Sequence, residues 1–273
     1  MSPHSNLDWI AIRKHLETLV QKAGKMQLAA LHSGASTLTK SSEVDLVTAT
    51  DRAIEEMLVQ EIMDHYPSHH IIGEEFGTSG NDAAQAAYYW YIDPIDGTTN
   101  FAHGIPFFCV SIALTDTDNN PLMAFIHNPN LNETFVAIQN QGAWLNGQPI
   151  HVSQTEILGA AVVASGFAYD KHTNPDNNTV EWTRFVTRTR GMRRLGSAAL
   201  DLAYVAAGRF DAYWERGVNN WDVLAGILLI QEAGGQITDY QGKTIHCLAE
   251  DRRIVASNGL IHEAVLALLK PTP

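Results

Sequence analysis

The stretch WDVLAGILLIQEAGG, residues 221 to 235, constrains the fold more than any other part of the chain. Read as a helix closed by its two glycines, it carries Val223, Leu224, Ala225, Ile227, Leu228, Leu229 and Ile230 around almost its whole circumference. A helix with no polar face belongs inside the molecule, and sheets sandwiched between helix layers are its natural home. The expected class is therefore α/β. Strand signals of mixed type argue against a purely parallel dinucleotide fold, and neither GxGxxG nor GxxxxGK[ST] occurs.

The remaining periodicities supply those layers. Ile12, Leu16, Leu19, Val20, Ala23 and Met26 recur at helical spacing and predict a helix over 7–32. A second helix is expected to follow TATD at 48–51, with Ile54, Met57, Leu58 and Ile62 on one face and Pro67 ending it. HHIIGEE reads as a short strand running into a loop, and AYYWYID as a buried strand. FFCVSIALT, PLMAFIHNP and ETFVAIQN read as antiparallel strands, and GAWLNGQPI as a hairpin turning on Asn146-Gly147. In the second half, AAVVASGF, FDAYWE, QITDY and RIVASN read as strands. Helices are expected over 178–190, over SAALDLAYVAAGR with Ser197 as N-cap, and near 260–269.

At 273 residues, with 45% hydrophobic and 18% charged residues, the chain suits one domain of two packed halves, roughly 1–150 and 151–273. No repeat or linker-like stretch marks a boundary. The N-terminus lacks a signal pattern and no apolar run is long enough to span a bilayer, so a cytoplasmic protein without membrane contact is expected. Cys109 and Cys247 belong to no CxxC pair and read as buried thiols. A net charge of −12, from 30 acidic against 18 basic residues, repels a phosphate backbone and argues against a dedicated nucleic-acid binder. An anionic substrate would meet the same repulsion unless cations were bound locally, which is a first pointer to metal.

The chemistry concentrates in YIDPIDGTTNFAHG, residues 91–104. Pro94 fixes its own φ and holds Asp93 extended. Asp96 then falls where a helix should begin, with Gly97 and Thr98 in its first turn, whose unpaired amides would form an anion site. An Asp turn followed by an Asp N-cap explains the same residues without any ligand. Other acids join them. Glu74 and Glu75 follow a strand; Asp222 sits in the first turn of the buried helix, as a capping acid or a metal ligand; Asp51 stands at an expected helix start, where an N-cap is the default. With no HExxH, CxxC or paired histidine spacing, all-oxygen coordination of Mg²⁺ or Mn²⁺ fits these acids better than Zn²⁺ does. The absence of a GxSxG elbow or Cys–His signature favours metal-assisted attack of water on a phosphate.

Taken in order, 45-DLVTATD-51, 73-GEE-75, 93-DPIDGTTN-100 and 221-WDVLAGILLIQEAGG-235 resemble the inositol monophosphatase family over essentially the whole chain. The segment 193-RRLGSAALDLAYVAAGRFDAYWE-215 further resembles its bacterial SuhB-type members. The resemblance implies a layered αβαβα sandwich of the inositol monophosphatase and fructose-1,6-bisphosphatase type, a homodimer, and Mg²⁺-dependent, Li⁺-inhibited hydrolysis of a phosphate monoester. It implies Glu74, Asp93 and the Ile95 carbonyl as ligands of a first Mg²⁺, and Asp93, Asp96 and Asp222 as ligands of a second, with Glu74 helping to hold a third. It further implies Gly97 and Thr98 amides on the phosphate and Thr98 with Asp51 as the water-activating pair. Asp96, Ala198, Glu215 and Asp222 would contact the polyol. Lys40 matches a loop lysine near the metals, and 163-VASGFAYD-170 departs from the animal enzymes' version.

Two other readings stand beside inositol monophosphate. One is a related phosphatase of sugar phosphates or 3′-phosphonucleotides, for which Arg188, Arg190, Arg193 and Arg194 read either as a second-phosphate site or as a solvated face. The other is a protein partner in the transcription or ribosome machinery, as SuhB-type members are known to have.

Overall fold

The structure, a computed structural model, describes residues 8–34 and 40–270; the side chains of 33–48, including Lys40 and the start of the DLVTATD motif, lie outside the described ones. Two helices come first, α1 (Trp9–Gly34) and α2 (Lys40–His65). Next are β1 (His70–Gly73), β2 (Gly77–Gly80), β3 (Tyr89–Asp96), the short α3 (Thr98–Ala102), β4 (Cys109–Thr115), β5 (Pro121–Asn128), β6 (Glu133–Ile138), β7 (Gly142–Leu145) and β8 (Gln148–Pro149). The second half holds β9 (Val162–Ser165), α4 (Thr179–Val186), β10 (Gly191–Arg193), α5 (Ala198–Ala206), β11 (Ala212–Arg216), α6 (Asn220–Glu232), β12 (Gln236–Thr238), β13 (Arg253–Ser257) and α7 (His262–Leu269).

Strand alternation sorts these elements into layers. In β4, Val110, Ile112 and Leu114 pack with Leu16 and Val20 of α1 and Ile54 and Leu58 of α2. Cys109 and Ala113 of the same strand point the other way, into a core shared with α5 and α6. The smaller sheet repeats the pattern: Tyr213 and Ala256 join that central core, while Ala212, Trp214 and Val255 pack outward with Phe185 of α4 and Val265 and Leu269 of α7. The larger sheet has eight strands in the order β2-β1-β3-β4-β5-β6-β7-β8, and the smaller has five, β10-β9-β11-β13-β12. The result is the expected αβαβα sandwich, with α6 in its central layer and every residue from Val223 to Ile230 buried.

Local expectations hold where the signal is strong. Ser197 caps α5, its hydroxyl accepting from Leu200 N, and Asn146 and Gly147 take φ of 50° and 78°, as a tight two-residue hairpin turn requires. They fail where tertiary contacts intervene. α2 starts at Lys40 rather than after TATD, so Asp51 is an interior helix residue and not a cap. α4 stops at Val186, short of 190, because the chain leaves it to pair: Arg190 N donates to Ala161 O, and β10 runs parallel to β9. β2 and β10 are short and polar, without the alternation that marks a strand. Cys109 is buried, but Cys247 is only half-buried.

Candidate active site

The bend in β3 is a β-bulge. Asp93 pairs with Ser111 and Asp96 with Cys109, so Pro94 and Ile95 stand opposite the single residue Val110. In a regular strand, side chains three apart point to opposite faces. The extra residue cancels that inversion. Ile92 and Ile95 both pack outward beneath α1 and α2, and Asp93 and Asp96 both turn inward to the space between the sheets. Buried Gln27 of α1 secures the bulge from behind, donating from Nε2 to Pro94 O at 2.7 Å. Gly97 follows at φ 100°, where a Cβ would press on Phe107 O at 3.0 Å and Phe108 Cβ at 3.2 Å. Gly97 is thus the cap of α3, and Asp96 is the last strand residue rather than an N-cap.

Asp96 instead closes on the N-terminus of α5. Its Oδ2 accepts from Ser197 Oγ at 2.6 Å and Ala199 N at 2.7 Å, and its Oδ1 from Ala198 N at 3.3 Å. The Ala198 amide, expected on the substrate, is therefore held by Asp96 here. Asp93 Oδ1 accepts from Ile95 N at 3.0 Å. Asp222 accepts the Asn219 amide at 2.6 Å, so its capping part is real and coexists with a place on the cavity wall. Glu74 reaches the same wall from the turn after β1. That turn is pinned by a residue that no sequence motif marks: Glu55 of α2 accepts from the amides of Glu75 and Phe76, each at 2.9 Å.

These acids, with Gly97, Thr98, Ala198 and Glu215, line one cavity of about 260 Å³. Burial is the first cause, and mutual repulsion the next, that lifts Asp93 and Asp222 well above the carboxylate range. Burial similarly raises Glu74 to about 7, against an opposing hydrogen bond with Asp93. Asp96 rises only to about 6, because the α5 donors offset its burial. The wall holds no histidine or cysteine among its described residues. Crowded carboxylates, all-oxygen and self-repelling, fit hard divalent cations, which would relieve the repulsion. No three of these acids bring one oxygen each within 4.8 Å among the described residues, so they line a cavity rather than close on a point.

Glu215 of β11 lines the same cavity, raised to about 7 by burial against opposing contacts from the Tyr213 hydroxyl (2.6 Å) and Arg194. It lies so tightly against Gly166 that a Cβ there would meet Glu215 Oε2 at 2.1 Å. Asp201 also lines the cavity, 1% exposed and with Oδ1 unpartnered. On a helix that otherwise reads as apolar, nothing local singles it out. The arginine cluster divides: Arg194 reaches the cavity, whereas Arg188 and Arg193 donate to nearby main-chain carbonyls. Asp51 is not on the wall. It lies buried, close enough to Glu75, Glu74 and Glu55 to feel their charges, and the Thr98 hydroxyl, expected on Asp51, donates to Ile95 O at 3.2 Å.

The model of the inositol monophosphatase family matches residues 8–272. The chain belongs to the inositol monophosphatase family. As a member it is a phosphatase, a hydrolase of phosphate esters. An inositol-1-monophosphatase of Synechocystis is 44% identical over 84% of this chain and 78% of its own. The Nus factor SuhB of Pseudomonas aeruginosa is 43% identical over 83% of each. Among solved structures, the inositol monophosphatase from Anabaena (Nostoc) superposes with a TM-score of 0.82 at 41% identity, covering 94% of this chain and 95% of that one. SuhB from Bartonella henselae gives 0.83 at 33% identity, covering 96% and 100%. No helix among the described residues is long and apolar enough to cross a membrane.

Proposed function

We propose that this chain hydrolyses inositol monophosphate and related polyol phosphate monoesters to the free polyol and phosphate, and that it requires Mg²⁺. The observation that carries the reading is the convergence of Glu74, Asp93, Asp96 and Asp222 on one small cavity that Glu215 also lines. At about 260 Å³ the cavity is smaller than the 300–1,000 Å³ of drug-sized sites and suits a single sugar-like ring with its phosphate.

Glu74, Asp93 and the Ile95 carbonyl would hold one cation; Asp93, Asp96 and Asp222 would hold a second, with a third near Glu74. Bound there, Mg²⁺ would neutralise the phosphoryl oxygens and make water acidic enough to attack at neutral pH. The protein's own groups do the positioning. Amides of Gly97 and Thr98 receive the phosphate. Because the Thr98 hydroxyl gives its proton to Ile95 O, its oxygen is left to accept from a water and aim it. Glu215, fixed by Tyr213, meets the ring hydroxyls, and the Ala198 amide would have to leave Asp96 Oδ1, 3.3 Å away, to join it there. Asp51 acts as a positioning group, its charge coupled to those of Glu75 and Glu74. Displacement is in line and direct, so ¹⁸O from solvent enters phosphate with inversion at phosphorus.

Arg194, Lys171 and Arg252 also line the cavity, which favours, as a second reading, a substrate with another anionic group. Phosphate release from inositol 1-phosphate, fructose 1,6-bisphosphate and 3′-phosphoadenosine 5′-phosphate, with and without Mg²⁺ and Li⁺, separates the two. Inositol 1-phosphate should be turned over fastest, only with Mg²⁺, and be slowed by Li⁺. A bisphosphate preferred by a wide margin, or release that persists without Mg²⁺, overturns the first reading. We further assign to this reading a protein partner in transcription, on the likeness to the Nus factor SuhB, and keep with it the homodimer and the cytoplasm expected from the sequence.

A further inference from the structure

Away from that cavity, at the outer seam of α1 and α2, the fold brings together His15, Glu61 and His65. One ligand atom from each lies within 4.8 Å of the other two. The rings of His15 and His65 are 4.1 Å apart, although fifty positions separate them in the chain. Glu61 and His65 are four apart on α2 and so share a face; His15 meets them from α1.

The hydrogen bonds leave one nitrogen of each imidazole uncommitted. His65 Nδ1 lies 2.8 Å from the Glu61 main-chain carbonyl. A carbonyl only accepts, so Nδ1 carries the proton and Nε2 of the neutral ring presents a bare lone pair. His15 Nδ1 lies 3.3 Å from the Tyr66 hydroxyl, and its Nε2 is buried without any partner. A ring nitrogen oriented through its other nitrogen is how metal-binding histidines are commonly held. Burial, then the neighbouring His65, lowers the His15 pKa against an opposing pull from Glu61, and so favours the neutral ring. Lys22 Nζ occupies Glu61 Oε1 at 2.8 Å and leaves Oε2 for another ligand.

We infer that His15, Glu61 and His65 form a second metal site, distinct in chemistry from the all-oxygen cavity, that takes Zn²⁺ and fastens α1 to α2. Two imidazoles and a carboxylate match zinc's preference, and a water would complete a tetrahedron. Zn–N distances near 2.0 Å need donor atoms about 3.3 Å apart, so the half-exposed side chains must close by an ångström or so. The site has no part in hydrolysis. It holds together the two helices that pack over β3, one of which carries Gln27 and the other Glu55.

The test uses the full chain, freed of metal with chelator, in an Asp93→Asn background that weakens the carboxylate cavity. Cu²⁺, a probe that follows the same ligands, should give an electron paramagnetic resonance spectrum with coupling to two nitrogens. His15→Gln and His65→Gln, each checked for an unchanged circular dichroism spectrum without metal, should each lose that two-nitrogen signal. Zn²⁺ should raise the Tm of the parent protein and leave both variants unmoved. A spectrum unaltered by either substitution, or an equal Zn²⁺ shift in all three proteins, would show that the histidines merely pack the helices.

Discussion

Asp51→Asn tests the electrostatics of the site without divalent cations. Asp51 is 3% exposed, and burial, followed by the charges of Glu75, Glu74 and Glu55, raises its pKa from 3.8 to about 8. The folded chain therefore binds this proton more tightly than the unfolded chain does. Stability is untouched below the unfolded value of 3.8, falls as pH rises from there to about 8, and is level above. At about pH 7 the gap from the unfolded value is roughly three units, or roughly 4 kcal/mol at 1.36 kcal/mol per unit. Asparagine mimics the protonated carboxyl and does not titrate. The variant should exceed the wild type by roughly 4 kcal/mol at about pH 7 and by under about 1 kcal/mol near pH 4. Urea unfolding of chelator-treated proteins, followed by circular dichroism across that range, measures the gap. A gap that does not change with pH refutes the reasoning.

Asp93→Asn should cut phosphate release by several orders of magnitude while the circular dichroism spectrum stays unchanged; near-normal turnover would remove Asp93 from the ligand set. Gly226→Ala should destabilise the chain by about 1–3 kcal/mol, since overpacking costs that much and its Cβ would lie 2.5 Å from Leu202 Cβ across the α5–α6 contact. An unmoved urea midpoint would mean that the central helices separate easily. Arg194→Gln should slow hydrolysis of a bisphosphate more than that of inositol 1-phosphate, and equal losses on both would deny it a second-phosphate role.

Most of the layering is legible in the residue order, because hydrophobic period is local: the apolar circumference of residues 223–230 places that helix inside, and the largely apolar runs in 109–138 suit one sheet with a core on each face. The acids are legible as types. Their arrangement is not. Glu55 and Gln27 act through partners distant in sequence, Asp201 is brought to the cavity wall by the seating of its helix, and nothing beside them in the chain distinguishes the three from ordinary helix residues.

The amino-acid order by itself determined most of the elements, the α/β class and which carboxylates are available, since each depends on neighbours within a few residues. Tertiary structure alone decided that Asp93 and Asp96 share a face, that Asp51 is buried beside the charges of Glu75 and Glu74, and that His15 meets His65. Strand register and helix seating are set by packing across layers, and a one-residue bulge is enough to invert where a side chain points.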